Sequence, residues 1–215
     1  MSVTVDGLRV ADPVDAWKRA GFDVGADDVC KVGGVRIRLV GGGGGAGIVG
    51  WALGGVAAVD VDVEVDGIPT EVWAISSGRA PGTHPNGVTA IDHVVLMSPN
   101  LGRTVAALAT VGVEPRRQRD AELGGRPVRQ IFFRMGEVIL EVVGTPDADG
   151  DGPSTLWGIT YVVADIEATA AYFGDHAAPV KDAVQPGRRI TTIRHRGLGM
   201  SVPTAMISAA YPRRP

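Results

Sequence analysis

The segment AIDHVVLMSPNLGRTVAAL, residues 90–108, decides the fold of this chain. Its first part, residues 90–97, is aliphatic and β-branched, a pattern typical of a buried strand. Asn100 then stands where a helix N-cap is expected, and Gly112 stands where a glycine commonly ends a helix. Between them an apolar stripe recurs at helical spacing, formed by Leu101, Val105, Leu108 and Val111. The segment predicts a strand followed by an amphipathic helix.

The strands after this helix form a predicted hairpin. Residues 128–134 and 137–143 both have strand character, and Met135-Gly136 joins them after a polar turn at residues 122–126. The same order of a strand, a helix start, a glycine stop and further strands recurs in residues 157–207. Because this order repeats, the chain is predicted to consist of βαβββ half-units.

The later and earlier copies contain the same signals. In residues 157–207, Asp165 is the predicted N-cap and Phe173 lies on the apolar stripe of the helix. Residues 3–41 are a shortened copy, with a helix start at Asp12-Pro13 and Trp17 on its stripe. Residues 46–75 offer a fourth, eroded copy, and that assignment stays open. The predicted organisation is a reduced βαββ region at 1–75, a linker at 76–87, and a complete unit at 88–212 made of halves 88–145 and 153–212.

Composition and charge exclude several classes of protein. The net charge is −3 and no segment is dense enough in Lys and Arg to bind nucleic acid. No uninterrupted apolar run reaches the ~18 residues of a membrane span, and the N-terminal residues lack an apolar leader pattern. Cys30 is the single cysteine, which excludes an intrachain disulfide and fits a reducing compartment. A cytoplasmic protein is expected.

Residues 90–108, followed by FFRMGEVILEVVG at 132–144, resemble the first half of a vicinal-oxygen-chelate module. This superfamily includes glyoxalases, bleomycin-resistance proteins and ring-cleaving dioxygenases. WGITYVVADIEATAAYF at 157–173 resembles the start of the second half. The resemblance implies an α+β fold in which paired βαβββ half-modules form a curved, cup-shaped mixed sheet. The N-terminal region would be a shortened glyoxalase-like copy.

The resemblance also implies where functional residues lie. In the family, each half contributes one ligand from its first strand and one from its last to a divalent metal ion, such as Zn, Fe, Mn or Ni. The first-strand position, seven residues before the helix cap, is His93 in the central copy and Gly158 in the third. The last-strand position is Glu141 in the central copy and falls near Thr204 or Met206 in the third. His93 and Glu141 are thus the candidate metal ligands, and Glu141 is the candidate catalytic residue.

Further residues are candidates for holding a ligand. Gln130 lies on the strand beside that of Glu141, and the loop-like segment PVKDAVQPGRR carries Lys181, Gln185 and Arg188. These loop side chains could reach over the cup to hold a carboxylate or phosphate, although ordinary surface positions are the more frequent case. Arg38 occupies the last-strand position of the first copy, where it is either half of an anion site or a structural remnant; the remnant is favoured.

Two functional hypotheses remain. A metal-assisted lyase, isomerase or dioxygenase is favoured by the His93 and Glu141 pair, whereas the positions without ligands favour metal-free sequestration of a small molecule, as in bleomycin-resistance proteins. Whether the chain is an enzyme stays open, as does a purely structural role. A small molecule is the expected partner, with no nucleic acid and no membrane. A homodimer that joins two copies of His93 and Glu141 around one ion is the alternative to pairing of the two halves within one chain.

Overall fold

The computed structural model describes residues 2–56, 63–73 and 82–210, which form two mixed β-sheets and three α-helices. The first sheet has the strand order β2-β3-β1-β4-β6-β5, and the second has the order β12-β13-β14-β11-β7-β10-β9-β8. The strands of the first sheet are β1 (Thr4–Val10), β2 (Val29–Val32), β3 (Val35–Leu39), β4 (Ile48–Gly54), β5 (Val63–Val65) and β6 (Ile68–Trp73). Those of the second are β7 (Val88–Met97), β8 (Pro115–Leu123), β9 (Arg126–Met135), β10 (Val138–Gly144), β11 (Thr155–Val163), β12 (Lys181–Asp182), β13 (Arg189–Ile193) and β14 (Thr204–Ser208).

The second sheet consists of two half-modules of the predicted kind. The first runs β7, helix α2 (Leu101–Thr110), β8, β9 and β10, and the second runs β11, helix α3 (Ile166–Phe173), β12, β13 and β14. In each half the last strand pairs in parallel with the first, β10 with β7 and β14 with β11. The halves join through the antiparallel pair β7 and β11, so that the sheet curves into a half-barrel. The predicted fold class is confirmed.

The first sheet repeats this plan in reduced form. Strand β1 pairs in parallel with β3, the last strand of the first copy, and β4 pairs in parallel with β6. Strands β1 and β4 pair antiparallel, as β7 and β11 do. The described part of residues 46–75 therefore pairs with the first copy as the second half-module pairs with the first, and its assignment as a fourth copy stays a prediction.

The helix starts follow the sequence with one exception. The side chain of Asn100 accepts a hydrogen bond from the backbone N–H of Arg103, and the side chain of Asp165 accepts two from the start of α3. Helix α1 (Val14–Arg19) has no side-chain cap, because its N-cap position is taken by Pro13 and not by Asp12. Asp12 instead accepts from the indole of Trp17 and from Ser201, which ties the N-terminal part to the C-terminal half-module.

Two strand predictions were wrong in detail. Strand β8 was missed because its sequence, PRRQRDAEL, has almost no apolar residue, and it forms because β9 pairs with it along its length. The last of the strands predicted within residues 157–207 was placed at 200–207 by its apolar pattern, but it begins only at Thr204. Pro203 cannot donate a ladder hydrogen bond, and the backbone before it forms a short 3₁₀ helix at His195–Leu198.

The buried faces of the two sheets share one hydrophobic core. Trp17 and Phe173 are buried there, at 0% and 6% exposure, as their helix stripes predicted. Tyr161, from the centre of the second sheet, packs against Phe22, which follows α1. Because the two sheets share this core, the opposite face of each is left to solvent or to ligand. In the described residues, no helix is long and apolar enough to cross a membrane.

Candidate functional site

The candidate site lies on the face of the second sheet that the helices leave uncovered, called the open face below. On β7 and β10 the residues of the covered face are fully buried, namely Val94, Leu96, Leu140 and Val142. Successive residues of a strand point to opposite sides, so the intervening residues line the open face: His93, Val95, Ile139 and Glu141. The register pairs Ile139 with His93 and Glu141 with Val95 across the parallel strands. His93 and Glu141 thus lie on neighbouring strands of one curved sheet and share a face, as two ligand positions of one vicinal-oxygen-chelate half-module would.

A β-bulge in β7 brings an additional carboxylate to this face. His93 pairs with Thr160 and Ile91 pairs with Tyr161, so Asp92 has no partner across the ladder. A bulge of this kind re-aims a side chain. Asp92 Oδ2 consequently lies 2.9 Å from His93 Nδ1. No local pattern indicates Asp92, because a bulge depends on the pairing of two strands.

The imidazole of His93 lies between two carboxylates. Asp92 is on its Nδ1 side, and its Nε2 atom is 3.5 Å from Oε2 of Glu141. The side chains of His93 and Glu141 are only 14% and 13% exposed. An ionised carboxylate can only accept a hydrogen bond, so Nδ1 carries a proton toward Asp92. Nε2 and Oε2 then face each other as two acceptors unless a proton lies between them.

A hydrogen-bonded relay holds the other oxygen of Glu141. Gln130, on β9, donates its amide to Oε1 of Glu141. The amide oxygen of Gln130 accepts in turn from Nε of Arg119 on β8, at 2.6 Å. This contact fixes the orientation of the Gln130 amide, because its oxygen must face the guanidinium and its nitrogen the carboxylate. The structure therefore places Gln130 in direct contact with Glu141.

Arg188 reaches the same group from the other half-module. Its Nη1 lies 2.5 Å from Oδ1 of Asp92, and its Nε donates to the carbonyl of Ser208. Burial acts to raise the pKa of Asp92, but hydrogen bonds from His93 and Arg188 and the Arg188 charge outweigh it and hold the pKa below its usual value. Asp92 is therefore ionised at neutral pH, which keeps the proton of His93 on Nδ1.

The other two loop candidates are placed away from this group. Lys181 lies on β12, the outermost strand, and Gln185 lies in the turn that follows; both are exposed. Neither contacts His93, Glu141 or Asp92 in the described part of the chain. Of the three loop residues, only Arg188 joins the cluster, and a ligand-holding role for Lys181 and Gln185 stays a prediction.

The second half-module supplies no ligand at the family positions. Gly158 pairs with Val95, beside Glu141, but a β-carbon there would meet the carbonyl oxygen of Pro203 at 2.8 Å. Thr204 and Met206 are both buried, at 3% and 0% exposure, and the Thr204 hydroxyl donates to the carbonyl of Val202. The register turns Ala205, not its neighbours, to the open face, opposite Thr160.

These donors do not fit a complete metal centre. The chemistry of His93 Nε2 and a carboxylate suits a divalent ion, and Asp92 resembles the carboxylate that orients a metal-bound histidine. However, no group of three or more metal-binding side chains occurs in the described residues. Two donors from one half-module are fewer than the three or four protein ligands of common sites. We therefore derive no reaction step through a metal ion.

Aromatic and basic residues on the open face escaped the sequence analysis. Trp157 is 52% exposed although it lies on a central strand, next to a register shift at Gly158. Phe132 pairs with Glu141 across β9 and β10, and the guanidiniums of Arg117 and Arg119 lie 4.8 and 5.5 Å from its ring centroid. Locating β8 would have shown the two arginines two residues apart on one face.

Arg38 and Cys30 lie outside this site. Arg38 is exposed on β3, directly beside Arg9 of β1, and its anion-site prediction remains untested. Cys30 is fully buried, and burial, with a smaller effect of the Asp23 charge, raises the pKa of its thiol to about 12. The thiolate is the nucleophilic form, so Cys30 is a packing residue.

Comparison with known proteins supports the fold. The chain is similar to a triple mutant of 4-hydroxymandelate synthase from Streptomyces coelicolor, at 16% identity and a TM-score of 0.69, covering 100% of this chain and 94% of the other. The chain is also similar to a fusion of a xylose isomerase-like TIM barrel with 4-hydroxyphenylpyruvate dioxygenase, at 15% identity and a TM-score of 0.61. This match covers 100% of this chain and 50% of the fusion protein. A catechol 2,3-dioxygenase is similar at 9% identity and a TM-score of 0.58, and the match covers 99% of this chain and 96% of the dioxygenase. No protein-family model matches the sequence, and neither does any curated protein.

Proposed function

The chain has the vicinal-oxygen-chelate fold, and from that premise we propose that the open face of its second sheet binds a small molecule on which Glu141 transfers a proton. Fold alone does not determine chemistry, so the proposal depends on the site. The observation that supports it most directly is the 3.5 Å distance between His93 Nε2 and Glu141 Oε2, with Asp92 on the opposite side of the His93 imidazole.

This arrangement suits general acid–base catalysis. Asp92 holds the tautomer of His93, and Gln130 holds one oxygen of Glu141, so Nε2 of His93 and Oε2 of Glu141 are the atoms that face a bound molecule. A carboxylate that is positioned in this way can remove a proton from a carbon next to a carbonyl group of a bound molecule. The same proton can return to another face or atom, which makes the reaction an isomerisation that consumes no co-reactant. A lyase would begin with the same proton removal, but the substrate would then expel a leaving group instead of taking the proton back.

Deuterium exchange tests the proton transfer. Small carbonyl compounds and carboxylic acids are incubated with the protein in D₂O, and deuterium incorporation is followed by ¹H NMR. We expect exchange into one class of compound, and Glu141→Gln should slow it by a factor of about 10² to 10⁴. Glu137→Gln is the matched control, because Glu137 is exposed at the turn of the same hairpin. Undiminished exchange by the Glu141→Gln variant would contradict the role of Glu141.

Sequestration without chemistry is the second candidate function. It is favoured by the exposed indole of Trp157 beside Gly158, which offers a stacking surface where the family position has no ligand. The same experiment separates the two functions. A compound that shifts the NMR signals of open-face residues but takes up no deuterium supports sequestration and contradicts proton transfer.

A further inference from the structure

One row of residues crosses the second sheet at the level of Glu141. Successive pairings join Arg117 on β8 to Phe132 on β9, Phe132 to Glu141 on β10, Glu141 to Val95 on β7, and Val95 to Gly158 on β11. Residues paired in this way lie on the same face of a sheet, and adjacent strands are about 4.8 Å apart. The row therefore carries a guanidinium at one end, Glu141 at its centre and Gly158 at the other end. Trp157, exposed at 52%, lies at the register shift directly before Gly158.

The basic end of the row holds two like charges. The Cζ atoms of Arg117 and Arg119 lie 4.8 and 5.5 Å from the same ring centroid, that of Phe132. Arg119 is hydrogen-bonded to the neutral amide of Gln130, and in the described part of the chain Arg117 forms no ion pair. Both guanidiniums lie against the same ring, so an anion bound beside that ring can accept charge-assisted hydrogen bonds from both.

The opposite side of the same hairpin is arranged differently. Arg129, next to Gln130 in sequence and on the other face, donates from Nε and Nη2 to both oxygens of Asp120, at 2.7 and 3.2 Å. The hairpin thus pairs an arginine with a carboxylate of its own on one face. On the open face, a phenyl ring and an amide take the place of that carboxylate.

We propose that Arg117 and Arg119 clamp the anionic group of the molecule that the open face binds, and that this molecule is a small organic anion with an apolar, planar body. The inference rests on the proposed function and specifies its ligand. The anionic group lies over Phe132, the atom next to it lies over Glu141, and the planar body extends over Val95 toward Trp157. A carboxylate and a phosphate monoester share the required chemistry.

Three probes of similar shape test the clamp: phenylacetate, phenyl phosphate and the neutral phenylacetamide. Binding is measured by ¹⁵N–¹H NMR titration, which follows the indole N–H of Trp157, the amide of Gln130 and the arginine Nε–H groups. We expect at least one anionic probe to bind about tenfold more tightly than phenylacetamide, which is the range of one charge-assisted hydrogen bond. The better of the two anions identifies the group that the natural ligand carries.

Two variants of equal charge locate the effect. Arg117→Gln should remove the tenfold preference for the anion, whereas Arg129→Gln should retain it, because Arg129 is on the other face of the hairpin. Arg117→Gln is expected to fold normally, since its side chain is exposed. Phenylacetamide binding as tightly as the anions, with the same signals shifted, would overturn the clamp and leave the ligand-binding face intact. No shift of open-face signals with any probe would overturn both.

Discussion

The carbonyl oxygen of Pro203 lies 2.8 Å from the position that a β-carbon at Gly158 would occupy. The same carbonyl accepts the backbone N–H of Ile159 at 3.0 Å, so it is held in place by the pairing of the two chain segments. A side chain at position 158 would have to push this backbone away. The second half-module therefore lacks a ligand for a structural reason, because its backbone occupies the space that a ligand would need.

Substitution of Gly158 is expected to destabilise the fold. Gly158→Ala should lower the free energy of unfolding by about 1–3 kcal/mol, the cost of overpacking a fixed backbone, and Gly158→His should cost at least as much. Urea unfolding followed by circular dichroism measures the change. Gly34→Ala is the control, because a β-carbon there meets no atom within 4 Å. A Gly158→His protein as stable as the unmodified chain would contradict this explanation.

The sequence predicted the features that depend on local pattern. The strand and helix of residues 90–108 and the caps at Asn100 and Asp165 follow from apolar period and spacing. The shared face of His93 and Glu141 is what the resemblance to the vicinal-oxygen-chelate module implies. The contributions of Asp92 and Trp157 could not be predicted, because each lies at a β-bulge that exists only when two distant strands pair. Strand β8 escaped for a related reason, since its pairing with β9, not its composition, makes it a strand.

Two aromatic residues of the helices should contribute strongly to stability. Trp17 is fully buried and donates its indole N–H to Asp12 at 3.0 Å, and Phe173 is 6% exposed. Truncation of either to Ala should cost about 3–5 kcal/mol, because a cavity remains in the core. Tyr172→Ala is the control, since Tyr172 is 48% exposed beside Phe173. Unfolding midpoints of the Trp17 and Phe173 variants equal to that of the parent protein would show that these contacts are not formed.

The contact between the two sheets should weaken in acid. Asp66, at the turn between β5 and β6, has a side chain that is 3% exposed and accepts from Arg103, Thr104 and Ser154. Burial acts to raise the pKa of this carboxyl. The hydrogen bonds from the two hydroxyls and from Arg103, together with the positive charge of Arg103, outweigh burial and hold the pKa below its usual value. A lowered folded-state pKa stabilises the fold above the unfolded pKa of about 3.9, and that stability is lost as the pH falls through the lower, folded value.

Unfolding free energies measured in urea between pH 7 and pH 3 test this contribution. Asp66→Asn should lose about 1–3 kcal/mol at pH 7, because it removes the carboxylate charge that Arg103 contacts, and its stability should fall less steeply below pH 4. Asp149→Asn, an exposed carboxylate in the nearby turn, is the comparison. Parallel pH curves for the parent and the Asp66→Asn variant would exclude Asp66 as the source.

Metal analysis should find little tightly bound transition metal in the protein purified without a His tag. His93 and Glu141 are the two donors at the family positions, and pairing of the half-modules within one chain brings no further ligand to them. We expect well below one ion of Zn, Fe, Mn or Ni per chain after dialysis, by inductively coupled plasma mass spectrometry. A stoichiometric metal that is lost in Glu141→Ala would overturn this expectation and favour a site shared between two chains.

Loss of Arg188 should be far more costly than loss of its neighbour Arg189. The Arg188 and Asp92 side chains are 12% and 9% exposed, so removing the guanidinium leaves a buried carboxylate without its cation. Arg188→Met should lower the free energy of unfolding by about 3–5 kcal/mol. Arg189 pairs with Glu167 at the surface, where both side chains are about half exposed, and Arg189→Met should change it by at most about 1 kcal/mol.

A second substitution separates the missing contact from a general defect. If the cost arises from the unpaired charge of Asp92, then Asp92→Asn should recover part of the stability of the Arg188→Met protein, although each single substitution is destabilising. Thermal and urea unfolding of the four proteins of this double-mutant cycle give the coupling energy, which should exceed 1 kcal/mol for residues in direct contact. Additive effects would mean that Arg188 stabilises the fold through its bond to the Ser208 carbonyl and not through Asp92. Coupling of the expected size would identify Arg188 as the residue that joins the second half-module to the His93 and Glu141 pair of the first.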